Sequence, residues 1–398
     1  MKIITKNTVC AVLVLVAFVS GYFFNEYLWH RADQPILDEL PGIDLRLMSE
    51  VLNKALAVYV DPQKIDSQKL TYGAISGMIK AIGDPYTVFF DPEEAKKFRE
   101  DISGTFTGIG AQLGMKDGKI KIIAPIKGTP AEKAGVMAGD VIFEVDKKST
   151  ADLSVDEVVN LIRGEKGTKV ELGLITKTGE VKYLEITRDE IKLPTVEVEI
   201  KETASGKKVA LLTIYQFSET VLADFQKNAN ILLNSGAKGI ILDLRNDPGG
   251  LLDQTDKIAG WFIKKGATIL VEQDKDMNRT VHISEGPASL ENIPTVILVN
   301  EGTASAAEIL AGALRDNRQL PIIGETTFGK GLVQQVVDIE GGSSLKVTRA
   351  KWFTPNGELI QDIGIKPTIE VKLTEDDIAN NVDPQYAKGL EELDKLIK

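Results

Sequence analysis

The sequence predicts an α/β protein: an α/β core with a small inserted β-rich module, an N-terminal helical region and one N-terminal transmembrane helix. Three observations carry this. Beyond Leu193, short apolar runs suited to buried strands each feed a helical pattern. Between about 104 and 190, four β-rich runs are interspersed with one short and one longer helix. Near the start, an almost unbroken apolar run from Thr8 to Phe24 follows Lys2 and Lys6. The expected organisation is 1–30 as cytoplasmic tip and anchor, 31–103 as the helical region, 104–190 as the module, 191–375 as the core and 376–398 as a helical tail.

As a helix, the apolar run would span ~25 Å, slightly under the hydrocarbon thickness. Tyr22, Phe23, Phe24, Tyr27 and Trp29 crowd its far end like an interfacial belt. The two leading lysines put the N-terminus in the cytoplasm. The expected localisation is therefore a single-pass cell-membrane protein with its catalytic part extracytoplasmic. A cleaved signal peptide is the rival reading, and no clean A-x-A site follows the run.

Ile43 to Val60 and Leu70 to Ile82 carry helical apolar spacing, the second ending at Gly83-Asp84-Pro85. Asp91 and Pro92 open a short helix to Arg99. These helices suit a cap or a dimer surface. In the module, strands are expected at Lys119–Ala124, Val141–Val145, Val170–Thr176 and Val181–Thr187. Thr129-Pro130-Ala131-Glu132 and Ser154-Val155-Asp156-Glu157 read as capping boxes between them. In the core, strands at Val209–Tyr215, Gly239–Leu244 and Thr295–Asn300 lead to helices at Glu219–Asn234, up to Ile263, and Ala304–Leu314. A charged helix after Asp377 closes the chain.

The 398 residues are 43% hydrophobic and 26% charged, an ordinary globular balance. A formal charge of -11 argues against a nucleic-acid partner. Cys10 is the one cysteine, so no internal disulfide and no thiol nucleophile outside the apolar run exist. His30 and His282 are the two histidines, which excludes a Cys/His zinc site, and no metal or cofactor is expected.

Chemistry without histidine or thiolate directs attention to Ser305, where an apolar strand delivers a tight turn and the serine opens a helix. Free backbone N–H groups and the positive helix end there can hold an oxyanion. A plain N-cap serine is the bland alternative. Thr203-Ala204-Ser205 repeats the same letters between two strands and reads as a hairpin loop. A serine needs a base, and Lys330, between Gly329 and Gly331, qualifies only if burial lowers its pKa by several units. An exposed lysine on a glycine-rich turn is the alternative. Gln334, four residues on, shares its face if the segment is a regular strand, and can orient the amine. Gly249-Gly250 can present an N–H toward Ser305, or is simply a strand-to-helix turn. In the module, Gly108-Ile109-Gly110-Ala111 is either a nest for a carboxylate or a glycine turn into an edge strand. Arg163 is a helix C-terminal cation or a contact to the core. His282 reads as a surface residue.

Together these stretches resemble the C-terminal processing peptidases, or tail-specific proteases, a Ser/Lys family with an embedded PDZ domain. Asp84-Pro85-Tyr86-Thr87, Gly108-Ile109-Gly110, Thr129-Pro130-Ala131, Leu161-Ile162-Arg163-Gly164, Asp243-Leu244-Arg245, Pro248-Gly249-Gly250, the Ser305 turn, Gly329-Lys330-Gly331 and Thr354-Pro355-Asn356-Gly357 carry the resemblance in order. It implies a crotonase-like protease core, Ser305 as nucleophile, Lys330 as general base and Gln334 as its orienting partner. It also implies an oxyanion hole from the amides of Gly250 and Ala306, and a PDZ groove at Gly108, Ile109, Gly110 and Ala111 for a substrate C-terminus. Arg163 is the expected regulatory contact. Asp247 stands where asparagine is usual, and Thr303 and Ala307 where serines are usual.

The function expected is a membrane-anchored serine endopeptidase cutting proteins near a free C-terminus, with a homodimer through the terminal helices. An inactive PDZ scaffold that binds C-termini is the alternative. A crotonase-type enzyme acting on a thioester would leave the module and anchor without a purpose.

Overall fold

In the computed structural model the described residues are 44–397, apart from 117, 118, 127, 152, 154, 375, 378, 379 and 381. The expected membrane segment at 1–30 lies outside them, as does Ser154, the expected cap of a module helix. Among the described residues, no helix is long and apolar enough to cross a membrane. The chain divides into one unit ending at Thr71 and another running from Tyr72 to Lys398.

Helix α1 (Leu45–Val58) starts where the Asp44 carboxylate accepts the N–H of Leu47. Helix α2 (Ser67–Lys80) follows a single 3-10 turn at Pro62–Lys64. In the first unit, Leu52, Leu56, Tyr59, Ile65 and Leu70 line an apolar groove of about 390 Å³. Strand β1 (Val88–Phe90) precedes helix α3 (Pro92–Ser103). Asp91 and Glu94 form the capping box of α3, with Pro92 at its first position.

The module follows: β2 (Thr105–Gly108), β3 (Ala111–Lys116), β4 (Lys119–Pro125), α4 (Pro130–Lys133), β5 (Val141–Val145), β6 (Lys148–Ser149), α5 (Val155–Ile162), β7 (Lys169–Ile175), β8 (Val181–Thr187) and β9 (Asp189–Lys192). Strands β3, β4, β5, β7 and β8 lie side by side in that order, and β2 pairs with β9. Alternate residues such as Ile120, Ile122, Val170, Leu172 and Leu174 turn inward onto Val158 and Ile162 of α5. Each such fully buried side chain contributes about 1.5–3 kcal/mol. Thr129 departs from the expected capping box: its hydroxyl donates to the carbonyls of Gly110 and Ile126, at 2.9 and 2.6 Å, and so ties the helix entry to the glycine loop.

The core comprises β10 (Val196–Glu202), β11 (Lys208–Ile214), α6 (Val221–Asn234), β12 (Ile240–Asp243), α7 (Leu252–Phe262), β13 (Thr268–Asp274), β14 (Arg279–Ile283), β15 (Thr295–Val299), α8 (Ala306–Arg318), β16 (Ile322–Gly324), β17 (Leu332–Asp338), β18 (Ser344–Phe353), β19 (Ile369–Glu370) and α9 (Pro384–Leu396). One sheet runs β10-β11-β12-β15-β16-β19, with only the β10–β11 pair antiparallel. Its central strands are apolar on both faces because both are covered. Leu242, Ile297 and Val299 join the core of α6, α7 and α8. Ile241, Val296 and Leu298 pack instead with Leu393 and Ile397 at the C-terminal helix. A second sheet is built from β1, β18, β13 and β14, with β17 also on β18. The residues 203–205 link antiparallel β10 and β11, the expected hairpin loop, and Ser205 and Thr203 both bond the Asp394 carboxylate.

This strand order decides where chemistry can happen. The loops carrying Gly249, Ser305 and Lys330 leave the carboxyl ends of β12, β15 and β16, three adjacent parallel strands. Ligand sites in open α/β sheets form at such ends.

Candidate active site

Ser305 sits between β15 and α8 with φ 53° and ψ -116°, a conformation that a non-glycine residue rarely holds. The turn is fixed from several sides. Thr303 donates its hydroxyl to the carbonyl of Leu244 at 2.8 Å, and the N–H of Ala304 donates to the carbonyl of Asp247 at 2.9 Å. Strain held this firmly exposes a serine at a sharp strand-to-helix corner, as hydrolytic nucleophiles require.

Glu308, one turn into α8, is fully buried and is the residue the sequence reading passed over. Its Oε2 accepts the N–H of Ser305 at 2.8 Å and the N–H of Lys330 at 2.9 Å. Its Oε1 accepts the N–H of Gly329 at 2.7 Å and the Thr327 hydroxyl. Ser305 and Lys330, far apart in sequence, thus have amide nitrogens within two hydrogen-bond lengths of each other. The S-x-x-E spacing from Ser305 to Glu308 was the available signal.

Lys330 is partly buried. The main chain there is held further by Trp352, whose indole N–H donates to the Lys330 carbonyl at 3.0 Å. Its Nζ lies 5.2 Å from the centre of the Tyr86 ring. Burial, and then the charge of Lys346, lowers the Lys330 pKa below that of an ordinary lysine, against the opposing pull of Glu308 and Asp84. Asp84 itself is fixed by the Thr87 hydroxyl and the Tyr86 N–H, at 2.6 and 3.0 Å. The Asp84–Thr87 loop, expected to belong to a cap, therefore faces the lysine.

Gln334 is not hydrogen-bonded to Lys330. Its Nε2 is buried without a partner among the described residues. The expectation that positions 330 and 334 share a face assumed a regular strand, whereas the β17–β18 register shifts between Val333 and Gln334.

Gly249 has φ 90°, and a Cβ on it would lie 2.6 Å from the Ala304 carbonyl oxygen and 2.8 Å from both the Ala306 nitrogen and the Ser305 Cβ. Only a glycine lets this turn close on the Ser305 turn. The Gly249 carbonyl accepts the N–H of Phe217 at 2.9 Å, and the Phe217 carbonyl accepts the N–H of Leu251 at 2.7 Å. Between these bonds the N–H of Gly250 has no acceptor among the described residues. Ala306, at the first helical position, likewise has no acceptor for its N–H among the described residues. Arg245 reaches the other way, onto Asp243 at 2.7 Å and Asp383 at 2.9 Å, and fastens the C-terminal helix to the site's base.

In the module, Gly108, Ile109, Gly110 and Ala111 form the junction of β2 and β3. Phe106, Ile109, Leu113, Val159 and Ile162 line a small cavity of about 130 Å³ there, with Arg163 at its edge. Gly110, at φ 77°, lies so close to Thr129 that a Cβ would meet the Thr129 Cβ at 2.5 Å. Arg163 pairs with Glu100 of α3 at 3.3 Å and stacks over Phe106 at 4.9 Å. His282 is a correction: it is not a free surface residue but is clamped between Asp256, at 2.6 Å, and Glu272, at 3.3 Å, which together raise its pKa to about 9. Among the described residues no group of three or more His, Cys, Asp or Glu side chains gathers to hold a metal.

Comparison with known proteins agrees with this geometry. The family model of peptidase family S41 matches residues 208–371, that of a PDZ domain residues 121–176, and that of the activating protease CtpB N-terminal domain residues 48–94. The carboxy-terminal processing protease CtpA of Bacillus subtilis (strain 168) is 46% identical over 326 residues, covering 82% of this chain and 67% of the relative. A probable CtpA-like serine protease of Staphylococcus aureus (strain COL) is 37% identical over 366 residues, covering 91% and 70%. The solved photosystem II D1 C-terminal processing protease superposes with a TM-score of 0.51 at 31% identity, over 81% of this chain and 86% of that one. The chain belongs to peptidase family S41, as a serine-type peptidase of the C-terminal processing proteases with a PDZ domain.

Proposed function

We propose that the protein is a membrane-anchored, extracytoplasmic serine endopeptidase that cuts near the C-terminus of its protein substrates with a Ser305/Lys330 dyad. The observation that carries the dyad is the shared Glu308 oxygen joining the Ser305 and Lys330 amides, beside a lysine whose pKa burial lowers. The neutral Lys330 amine takes the proton of the Ser305 hydroxyl as its Oγ attacks the scissile carbonyl carbon. The N–H groups of Gly250 and Ala306 receive the resulting oxyanion. Collapse breaks the C–N bond, and the Lys330 ammonium returns its proton to the leaving amine. Water then attacks the acyl ester with Lys330 again as base, freeing the carboxylate product and the serine. Gln334 orients the amine once substrate closes the site.

The groove at Gly108–Ala111 takes the substrate C-terminus, supported by its glycine junction and apolar cavity. Arg163, held between Glu100 and Phe106, reports occupancy of that groove to the core. The Thr8–Phe24 run supports the anchor, and the exposed apolar residues Leu47, Val51 and Val58 of α1 support a homodimer through the N-terminal helices. Incubation of a tailed protein with wild type, Ser305→Ala and Lys330→Ala, read by mass spectrometry, tests the dyad. Both variants should leave the substrate intact while folding normally, and full cleavage by either would defeat it.

A further inference from the structure

Asp247 lies in the turn between β12 and α7, and none of its surface is exposed. Its Oδ1 accepts the N–H of Gly249 at 2.8 Å, while its Oδ2 is buried without a partner among the described residues. Its own carbonyl accepts the N–H of Ala304, the residue before Ser305, at 2.9 Å, and its N–H donates to the Leu244 carbonyl at 3.3 Å. One residue therefore grips both the Gly249–Gly250 turn and the Ser305 turn.

We propose that Asp247 is a positioning residue of the hydrolytic site that works as a neutral carboxylic acid, and that its ionisation turns the site off. This rests on the reading of Ser305 and Gly250 given above. The charged groups on the surrounding elements are committed elsewhere. Arg245 lies on Asp243 and Asp383, Glu308 holds the amides of Ser305, Gly329 and Lys330, and the Lys330 amine faces Tyr86. A carboxylate at Asp247 would be an anion in a dry site with one hydrogen bond and no cation, the costly case of burial. Burial accordingly pushes its pKa up to about 8, against the pull of the Gly249 N–H. In the acid form Oδ1 still accepts from Gly249. In the anionic form a negative charge sits behind the turn whose next N–H, at Gly250, faces the oxyanion, so the charge opposes the one that develops in the reaction.

The experiment compares kcat/KM for a tailed substrate at pH 7 and pH 9 in wild type and Asp247→Asn. Asparagine keeps the acceptor for Gly249 and cannot ionise. An acid titrating at about 8 is mostly protonated at pH 7 and mostly ionised at pH 9, whereas Lys330 is common to both proteins. The ratio of activity at pH 9 to that at pH 7 should therefore be about tenfold higher in the variant. Superimposable profiles would overturn the proposal. Should Asp247→Asn fail to fold, infrared titration of wild type carrying ¹³C-labelled aspartate decides the matter. One aspartic-acid carbonyl band should persist at pH 6 and vanish with a midpoint of about 8, and absence of any such band would refute it. Ser305→Ala separates the two readings. Cleavage retained there defeats the dyad, while the infrared band still judges Asp247. Cleavage lost there with superimposed pH profiles defeats Asp247 alone.

Discussion

Replacing Glu308 by glutamine tests the structural link between Ser305 and Lys330, the proposed nucleophile and base. In the wild type, two donors converge on each carboxylate oxygen: Ser305 and Lys330 N–H on Oε2, Gly329 N–H and the Thr327 hydroxyl on Oε1. The amide keeps one oxygen but turns an NH₂ group toward the other two donors, because it carries only one acceptor atom. Two charge-assisted bonds are lost at a fully buried site, at about 1.5–3 kcal/mol each, so the variant should lose about 3–6 kcal/mol. That is a large share of a typical stability of about 5–15 kcal/mol. The catalytic effect has its own signature. Misplacing Ser305 against Lys330 by ~1 Å should lower kcat by about 10²-fold. The Glu308 charge also raises the Lys330 pKa, so its removal should move the acid limb of the pH–rate profile to lower pH. Urea unfolding at pH 7 and kcat/KM across pH measure both. A variant within about 1 kcal/mol of wild type, with an unmoved acid limb, would refute the reasoning.

Asp247→Asn should also change stability. Its folded pKa of about 8 stands above an unfolded value of ~3.9, so the native state keeps a proton that the unfolded chain releases. The proton's contribution is complete below pH ~4 and is lost as pH rises through 8; by pH 7 the loss is on the order of 4 kcal/mol. Urea midpoints of the variant should fall less steeply over pH 5–8, and parallel slopes would count against the buried acid. Gly249→Ala should cost at least ~10²-fold in kcat, since the added Cβ presses on the Ser305 turn from under 3 Å; near-normal turnover would show that the two turns separate freely. Arg163→Ala should weaken the stimulation of cleavage by a free tail peptide while sparing cleavage of a short tail-less substrate, measured by paired kinetic assays. Equal loss on both substrates would place Arg163 outside the coupling.

Much of the core was legible because its strands are buried on both faces and read as continuous apolar runs ending in glycine turns. The Ser305 corner is such a place, and so is the Pro248-Gly249-Gly250 turn. What brings Ser305 to Lys330 is the adjacency of β15 and β16 and the hold of Glu308, neither of which is a local property. The positive φ of Ser305 has no signature in its letters either. Strands β13 and β14 went unread because Glu272, Asp274, Arg279 and His282 break their apolar alternation, and it is Glu272 of β13, with Asp256 of α7, that holds His282. Gly83-Asp84-Pro85 reads as a helix breaker, since the approach of Asp84 and Tyr86 to Lys330 depends on β1 pairing with β18. The register shift between Val333 and Gln334 lies in a strand whose residues give no local sign of it.

The amine of Lys330 can be followed directly by ¹³C NMR of ε-labelled lysine, with its resonance assigned by loss in Lys330→Ala. It should titrate below the ordinary lysine value of 10.5, at the same midpoint as the acid limb of kcat/KM. An amine that stays fully charged across the pH range where activity rises would contradict a lysine base for Ser305.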